Sequence, residues 1–416
     1  MKIGSEKARE RSNATKSLTA KLGRPLVSQR AGASNPSVSP SPGKKASRQD
    51  QASVSSEARE GSAGDGRISN LIDSLQDAFH IGTKRAENKD RDASVAVFDD
   101  FSDADKEGVS THGEQVEGVI QQEGGFSDED IQRYQINSGG SKDELADRLA
   151  DNDDDALNDY VEDRYTSLLD NTSDGLEEIL NDDDSQIRTV NQSQSVAEGR
   201  IVRDLWDEAK AKPEFRADLA RHLGLGENAS DKDLAQALAD GVGDVVAHSD
   251  DIAKSKERFD KVSERASAAG ITHVVTSGNL GSFANEMERL GVETDSQFYD
   301  SAFLNRHTLV VGAVNANGST PTSANFNSPS ANADVSAPGV NVDITTQDGQ
   351  HETNSGTSFA APAVAALVAR MKAENPDLTS REIELILRRT ADDVNGPYSE
   401  VGSGTINPEA ALAAAA

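Results

Sequence analysis

The sequence predicts an α/β protein built on a mostly parallel central sheet flanked by helices. Three observations predict it. Short runs of β-branched and aromatic residues recur and stop at polar residues, as in SVAVFDD (94–100), ITHVVTSGN (271–279) and TLVVGAVNANG (308–318). Strands buried on both faces read as continuous apolar runs of this kind. Between them stand longer stretches of helical periodicity, and such alternation argues for one parallel sheet with its ligand sites at the strands' carboxyl ends. The third observation is NSGTSFAAPAVAALVARM (354–371), small and apolar throughout, which reads as a buried helix.

In SVAVFDD the strand closes on two carboxylates, placing Asp99 and Asp100 where ligands bind in such sheets. Next comes THGEQVEGVI, whose apolar spacing and Gly118 predict a close-packed helix opened by His112. IQRYQI (131–136) predicts a second strand. Residues 141–190 hold seventeen Asp/Glu against four Lys/Arg and read as two solvated helices joined by polar turns. Calcium binding is the rival reading, since Asp/Asn clusters supply oxygen ligands, but no 12-residue loop with its glycine and terminal glutamate is present; no cofactor is expected, with calcium left as the alternative. IRTVNQSQS (187–195) predicts a third strand, and 198–268 a charged, alanine-rich helical insertion. The strand pattern then resumes at 271–279, 308–318 and 332–342. At the last helix Gly356, Thr357 and Ser358 form the start. A serine there reads either as a helix cap or as a nucleophile in the field of the helix N-terminus, with Pro362 placed in the first turn.

The 416 residues suffice for a full-sized core, but a hydrophobic content of 35% is low for one globule, so part of the chain is expected to be unfolded. That part is residues 1–65, a Ser-rich tail whose first fifty residues carry eleven Lys/Arg and three Asp/Glu. It reads as a linker, or as an export signal of the unfolded, Ser-rich kind used by specialised, type III-like secretion. Residues 66–92 hold a short amphipathic helix, with Ile68, Leu71, Ile72, Leu75 and Phe79 at helical spacing, and a linker. The formal net charge of −30 speaks against nucleic-acid and anionic-membrane partners. No segment is apolar enough to cross a bilayer and no Sec-type signal opens the chain, so the expected location is cytoplasmic or outside by a non-Sec route. With no cysteine, thiolate chemistry is excluded.

An acidic residue, a histidine and a serine, each at an element end, are the parts of a nucleophilic triad. Serine is a weak nucleophile until a neutral imidazole takes its proton, and a buried carboxylate holds that imidazole in the right tautomer. Ser358 is the candidate nucleophile, His112 the base and Asp99 the orienting carboxylate; the Asn279 amide and the Ser358 N–H are the candidate oxyanion donors.

Four motifs in order, VAVFD, HGEQVEGVI, TSGN and GTSFAAPAVAALVA, resemble those of the subtilisin-like serine proteases, the subtilases. SAPGV (336–340) and VGSGTINPEAAL add weaker matches, and the resemblance spans roughly 93–412. It implies a three-layer subtilisin-like fold, a serine endopeptidase working through an acyl-enzyme, and a protein or peptide substrate bound in extended form. It also implies that Ser193, Gln194 and Ser195 pair with the substrate as an added strand, with Thr276, Ser277 and Gly278 across the specificity pocket. Oligomeric state stays open. Several positions depart from the family pattern: Glu114 and Gln115 follow His112 where the family has threonine and histidine, Gln194-Ser195 replaces a common Leu-Gly, and Phe359 stands where methionine is usual. These mark a divergent member, and leave open a second reading in which the fold binds peptides without turning them over.

Overall fold

A computed structural model of the chain describes residues 94–102, 110–226, 228–295, 297–319, 327–346 and 349–416. The expected tail and the amphipathic segment after it lie outside the described residues.

Six strands form one parallel sheet in the order β2-β1-β3-β4-β5-β6, namely β1 (Ser94–Asp99), β2 (Ile131–Gln135), β3 (Ile187–Gln192), β4 (Thr272–Thr276), β5 (Thr308–Val314) and β6 (Val335–Pro338). The chain leaves β1 toward β2 on one side and later returns to β3 on the other. β1 and β3 therefore flank the point where strand order reverses, where a crevice opens at the carboxyl ends.

The region 332–342, read from sequence as one strand, is divided. β6 ends at Pro338, and β7 (Val342–Thr345) instead pairs antiparallel with β8 (His351–Asn354) in a separate hairpin. Asn341 takes a positive φ of 52° between the two, and that turn breaks the run.

Helices cover both faces. On one lie α1 (His112–Gly124) and α9 (Thr357–Glu374), with the closing helices α10 (Ser380–Thr390) and α11 (Pro408–Ala415). α9 is buried on nearly every side, as an all-apolar helix must be. Gly118 permits α1 to lie against the hairpin, because a Cβ there would stand 2.7 Å from the Thr345 carbonyl oxygen. The other face carries α2 (Lys142–Ala150), α3 (Ala156–Asn181), α4 (Glu198–Ala211), α5 (Pro213–His222), α6 (Asp231–His248), α7 (Asp250–Ala268) and α8 (Gly281–Leu290). The stretch read as a helical insertion is thus α4 to α7, and it shares one apolar core with the sheet through Leu205, Trp206, Leu238 and Phe259. The acidic segment is α2 and α3, yet these helices are not merely solvated: α3 buries Tyr165, Leu168, Leu169 and Leu176 and keeps its carboxylates outward. One face of its 3.6-residue period is apolar, which the high acidic count conceals.

Candidate active site

Asp99 ends β1 and is fully buried. Its Oδ1 accepts the backbone N–H of Asp100 at 2.8 Å and lies 2.7 Å from His112 Nδ1. Among the described residues Oδ2 has no partner. A buried carboxylate is costly unless hydrogen bonds and a cation compensate it, and here the compensation runs through His112. Side chains alternate along a strand, so neighbouring Asp100 points elsewhere: its Oδ1 accepts from Ser102 N and Gln135 Nε2 at 2.8 and 2.9 Å. Only one of the two carboxylates therefore serves the histidine.

His112 is the first residue of α1. Thr111 caps that helix and Glu114 closes a capping box by accepting the Thr111 N–H at 2.8 Å. Glu114 is thus a helix-capping residue. Gln115 bridges to β8, donating to Glu352 at 2.8 Å and accepting from Asn354 at 2.9 Å. Both residues fasten the helix that carries His112. Because a carboxylate only accepts, the Asp99 contact fixes the proton on Nδ1 and leaves the lone pair on Nε2. Burial pushes the imidazole pKa down, but the hydrogen bond and charge of Asp99 outweigh it, and the net value stands above the ordinary 6.5. Phe359 packs against the ring, with centroids 5.8 Å apart.

Ser358 is the second residue of α9, not its cap; Gly356 holds the cap position at φ 155°, ψ 163°, open only to glycine. Pro362 lies beyond the first turn expected for it, inside the helix. It cannot supply the N–H that the Ser358 carbonyl would accept, and Ser193 Oγ donates to that carbonyl instead, at 2.9 Å. In return the Ser358 hydroxyl donates to the Ser193 carbonyl at 3.1 Å. A proline four residues downstream thereby ties the serine to the end of β3.

Asn279 follows β4. Its Oδ1 accepts from Thr357 N and Thr357 Oγ1 at 2.9 and 3.0 Å, which aims the side chain and leaves Nδ2 uncommitted among the described residues. The space where a Gly356 side chain would begin lies 3.4 Å from Asn279 Nδ2 and 3.7 Å from Ser358 N. Asn279 Nδ2 and the Ser358 N–H thus border one small space.

Of the six expected substrate contacts, Ser193 is turned inward to Ser358. Gln194 donates to the Ile136 carbonyl at 3.3 Å while its Oε1 is buried without a partner among the described residues. Ser195 Oγ lies 4.0 Å from where a Gly278 Cβ would stand, so the two segments face each other. Thr276 hydrogen-bonds Thr357 through their hydroxyls, Ser277 N donates to Val311 O at 2.9 Å, and Gly278 O accepts from Ser328 N at 3.1 Å. Of the six, Ser193 contacts Ser358 itself and Thr276 contacts its neighbour Thr357. Two supports escaped the sequence reading: Thr357, although it lies inside the GTS motif, and Arg203, whose Nη1 donates to the Asn279 carbonyl at 3.2 Å. No local pattern marks Arg203; its only signal is its place in the first turns after 193–195.

Among the described residues no cluster of three or more acidic, histidine or cysteine side chains is arranged to hold a metal ion, and no helix is long and apolar enough to cross a membrane. A second histidine, His273 on β4, is fully enclosed beside Gln192, and burial takes its pKa down to about 3, so it is a neutral core residue.

Residues 225–404 match the sequence model of the subtilase family, peptidase S8. That stretch contains Asn279 and Ser358, while Asp99 and His112 precede it. Subtilisin BL of Lederbergia lenta is 33% identical over 146 residues, 35% of this chain and 48% of that protein. Alkaline elastase YaB of Bacillus sp. (strain YaB) is 31% identical over 147 residues, 35% of this chain and 34% of that protein. A solved lanthipeptide protease is 15% identical, with a TM-score of 0.48 over 85% of this chain and 97% of that one. The chain spans between a third and a half of the length of these curated relatives. The stretch folded around Asn279 and Ser358 at the carboxyl edge of the parallel sheet is thus similar to the subtilase family.

Proposed function

We propose that the protein is a serine endopeptidase that opens peptide bonds through an acyl-enzyme. The observation that carries this reading is the 2.7 Å contact between His112 and buried Asp99 at the same sheet edge that presents Ser358. His112 Nε2 takes the hydroxyl proton as Ser358 Oγ attacks the scissile carbonyl, and Asp99 stabilises the imidazolium that forms. The hydroxyl turns away from the Ser193 carbonyl to do so, a rotation about one side-chain bond. Asn279 Nδ2 and the Ser358 N–H receive the oxyanion. The protonated His112 then releases the leaving amine, and a water repeats the sequence to free the acid. Protein or peptide substrate is the class this chemistry takes, bound in extended form beside Ser193–Ser195.

The test is labelling of the folded full chain with a fluorophosphonate probe. A label on Ser358 supports the reading, and an unlabelled, folded wild-type protein overturns it.

Two further results are expected. Asn279→Ala removes one of two oxyanion donors, so kcat should fall on the order of 10²- to 10³-fold with KM little changed; steady-state kinetics on a fluorogenic peptide reads this. The base works only when neutral, and Asp99 holds the His112 pKa above 6.5. The acid limb of kcat/KM against pH should therefore have its midpoint above that value, and a midpoint below it counts against His112 as the base. The stability that this pairing lends runs the other way: it is full below the unfolded-state value and is lost as pH rises through the raised, folded-state value.

A further inference from the structure

We infer that the cleft discriminates by charge and takes substrates with an acidic side chain close to the scissile bond, recognised by Arg200 and Arg203 with Arg164 behind them. This rests on the protease reading above and names its substrate class.

The three arginines surround a single carboxylate. Arg200 Nε lies 3.1 Å from Asp204 Oδ2, Arg203 Nη2 lies 3.1 Å from Asp204 Oδ1, and Arg164 Nη2 stands 4.0 Å from Asp204 Oδ2. One carboxylate cannot neutralise three guanidiniums, and the cluster keeps a surplus of two positive charges. Its other contacts reach the Asn279 segment and the loop at Gly139. Arg203 donates to the carbonyl of Asn279, the oxyanion candidate, and Arg164 donates to the Gly139 carbonyl at 3.2 Å. The charge of Arg200 lowers the His112 pKa, against the larger raising effect of Asp99. Through Arg203 the cluster touches the residue read as the oxyanion donor.

Position and burial fit recognition. Arg200 and Arg203 lie in the first turns of α4, directly after Ser193–Ser195, the segment read as pairing with substrate. Arg200 is 36% exposed and Arg203 24%, open enough to meet a ligand yet shielded enough that charge counts. Arg164, only 14% exposed, keeps its buried Nε without a partner among the described residues. Further along α4, Asp207 pairs with Lys210 at 2.9 Å, and Glu208 with Lys212 at 2.5 Å and Lys142 at 3.4 Å. The whole chain carries −30, so its long-range field repels acidic peptides. A cationic cluster in contact with Asn279 in so acidic a protein is local chemistry that the global charge does not explain. Guanidinium groups match a carboxylate in geometry as well as charge, since each offers paired N–H donors.

The experiment uses the full chain and sets of fluorogenic peptides that carry Glu, Gln or Lys at one position at a time around the cut. At one or more positions the wild type should cleave the Glu peptide about tenfold faster in kcat/KM than its Gln twin, the effect of one hydrogen-bonded charge. Arg200→Gln should bring that ratio toward one, and Arg200→Gln/Arg203→Gln should remove it. Ratios within one variant cancel general losses from disturbing Asn279. An active wild type that treats Glu and Gln alike at every position overturns the inference and leaves the protease reading standing. If nothing is cleaved and Ser358 takes no label, the protease reading falls, and fluorescence anisotropy with Ser358→Ala decides the charge question. Tighter binding of Glu than Gln peptides, lost in Arg200→Gln, supports the cationic site; equal binding overturns it.

Discussion

Replacement of Ser358 by alanine is expected to lower kcat on the order of a million-fold, the loss known for removing the nucleophile of subtilisin itself. The expectation follows from placement. Ser358 sits at the start of a helix enclosed on nearly every side, with Gly356 giving open space before it and Asn279 at its flank. Alanine there loses one hydrogen bond to the Ser193 carbonyl, while the bond from Ser193 Oγ to the Ser358 carbonyl remains. The fold should survive, with a melting temperature near that of the wild type. Single-turnover kinetics on a cleaved peptide reads the loss. A variant that retains more than a thousandth of the wild-type rate would show that another group attacks.

Asp99→Asn is expected to cost about ten-thousandfold in kcat, the size of effect seen when a triad carboxylate becomes an amide. The cause is a proton on the wrong nitrogen. Asp99 Oδ1 serves both the Asp100 N–H and His112 Nδ1, so an asparagine whose Nδ2 takes that place gives up the Asp100 bond and donates to His112 Nδ1. The ring proton moves to Nε2, and no lone pair remains for the serine. The amide also removes the buried charge that holds the His112 pKa above its ordinary value, so the acid limb of the remaining activity should shift downward. Comparison of pH profiles for the two proteins checks this. Unchanged kcat in the variant would leave Asp99 as a structural residue alone.

The sequence made the sheet legible because its strands are buried on both faces and read as unbroken apolar runs. The reading was weakest where burial is one-sided or where the chain turns. α3 carries so many carboxylates that its apolar face, Tyr165 to Leu176, is hidden in the composition. The run 332–342 has strand character throughout, and the turn at Asn341 depends on partners brought by β8. At the end of VAVFDD, two adjacent carboxylates are alike in sequence, and strand alternation puts Asp99 rather than Asp100 against His112.

Sequence alone determined which chemistry-bearing residues exist and that each lies at the end of an element: Asp99, His112, Asn279 and Ser358. Local propensity and apolar period suffice for that, since both are properties of neighbouring residues. Tertiary structure alone decided how they are held. Ser193 compensates the carbonyl that Pro362 leaves unbonded, Thr357 aims Asn279, and Gln115 anchors the histidine helix to Glu352 and Asn354. These partners lie tens to hundreds of residues apart in the chain. Hydrogen-bond satisfaction is settled by what folding brings within about 3 Å. The arginines around Asp204 belong to the same class: scattered over two helices in the sequence, they become a site only where the cleft gathers them.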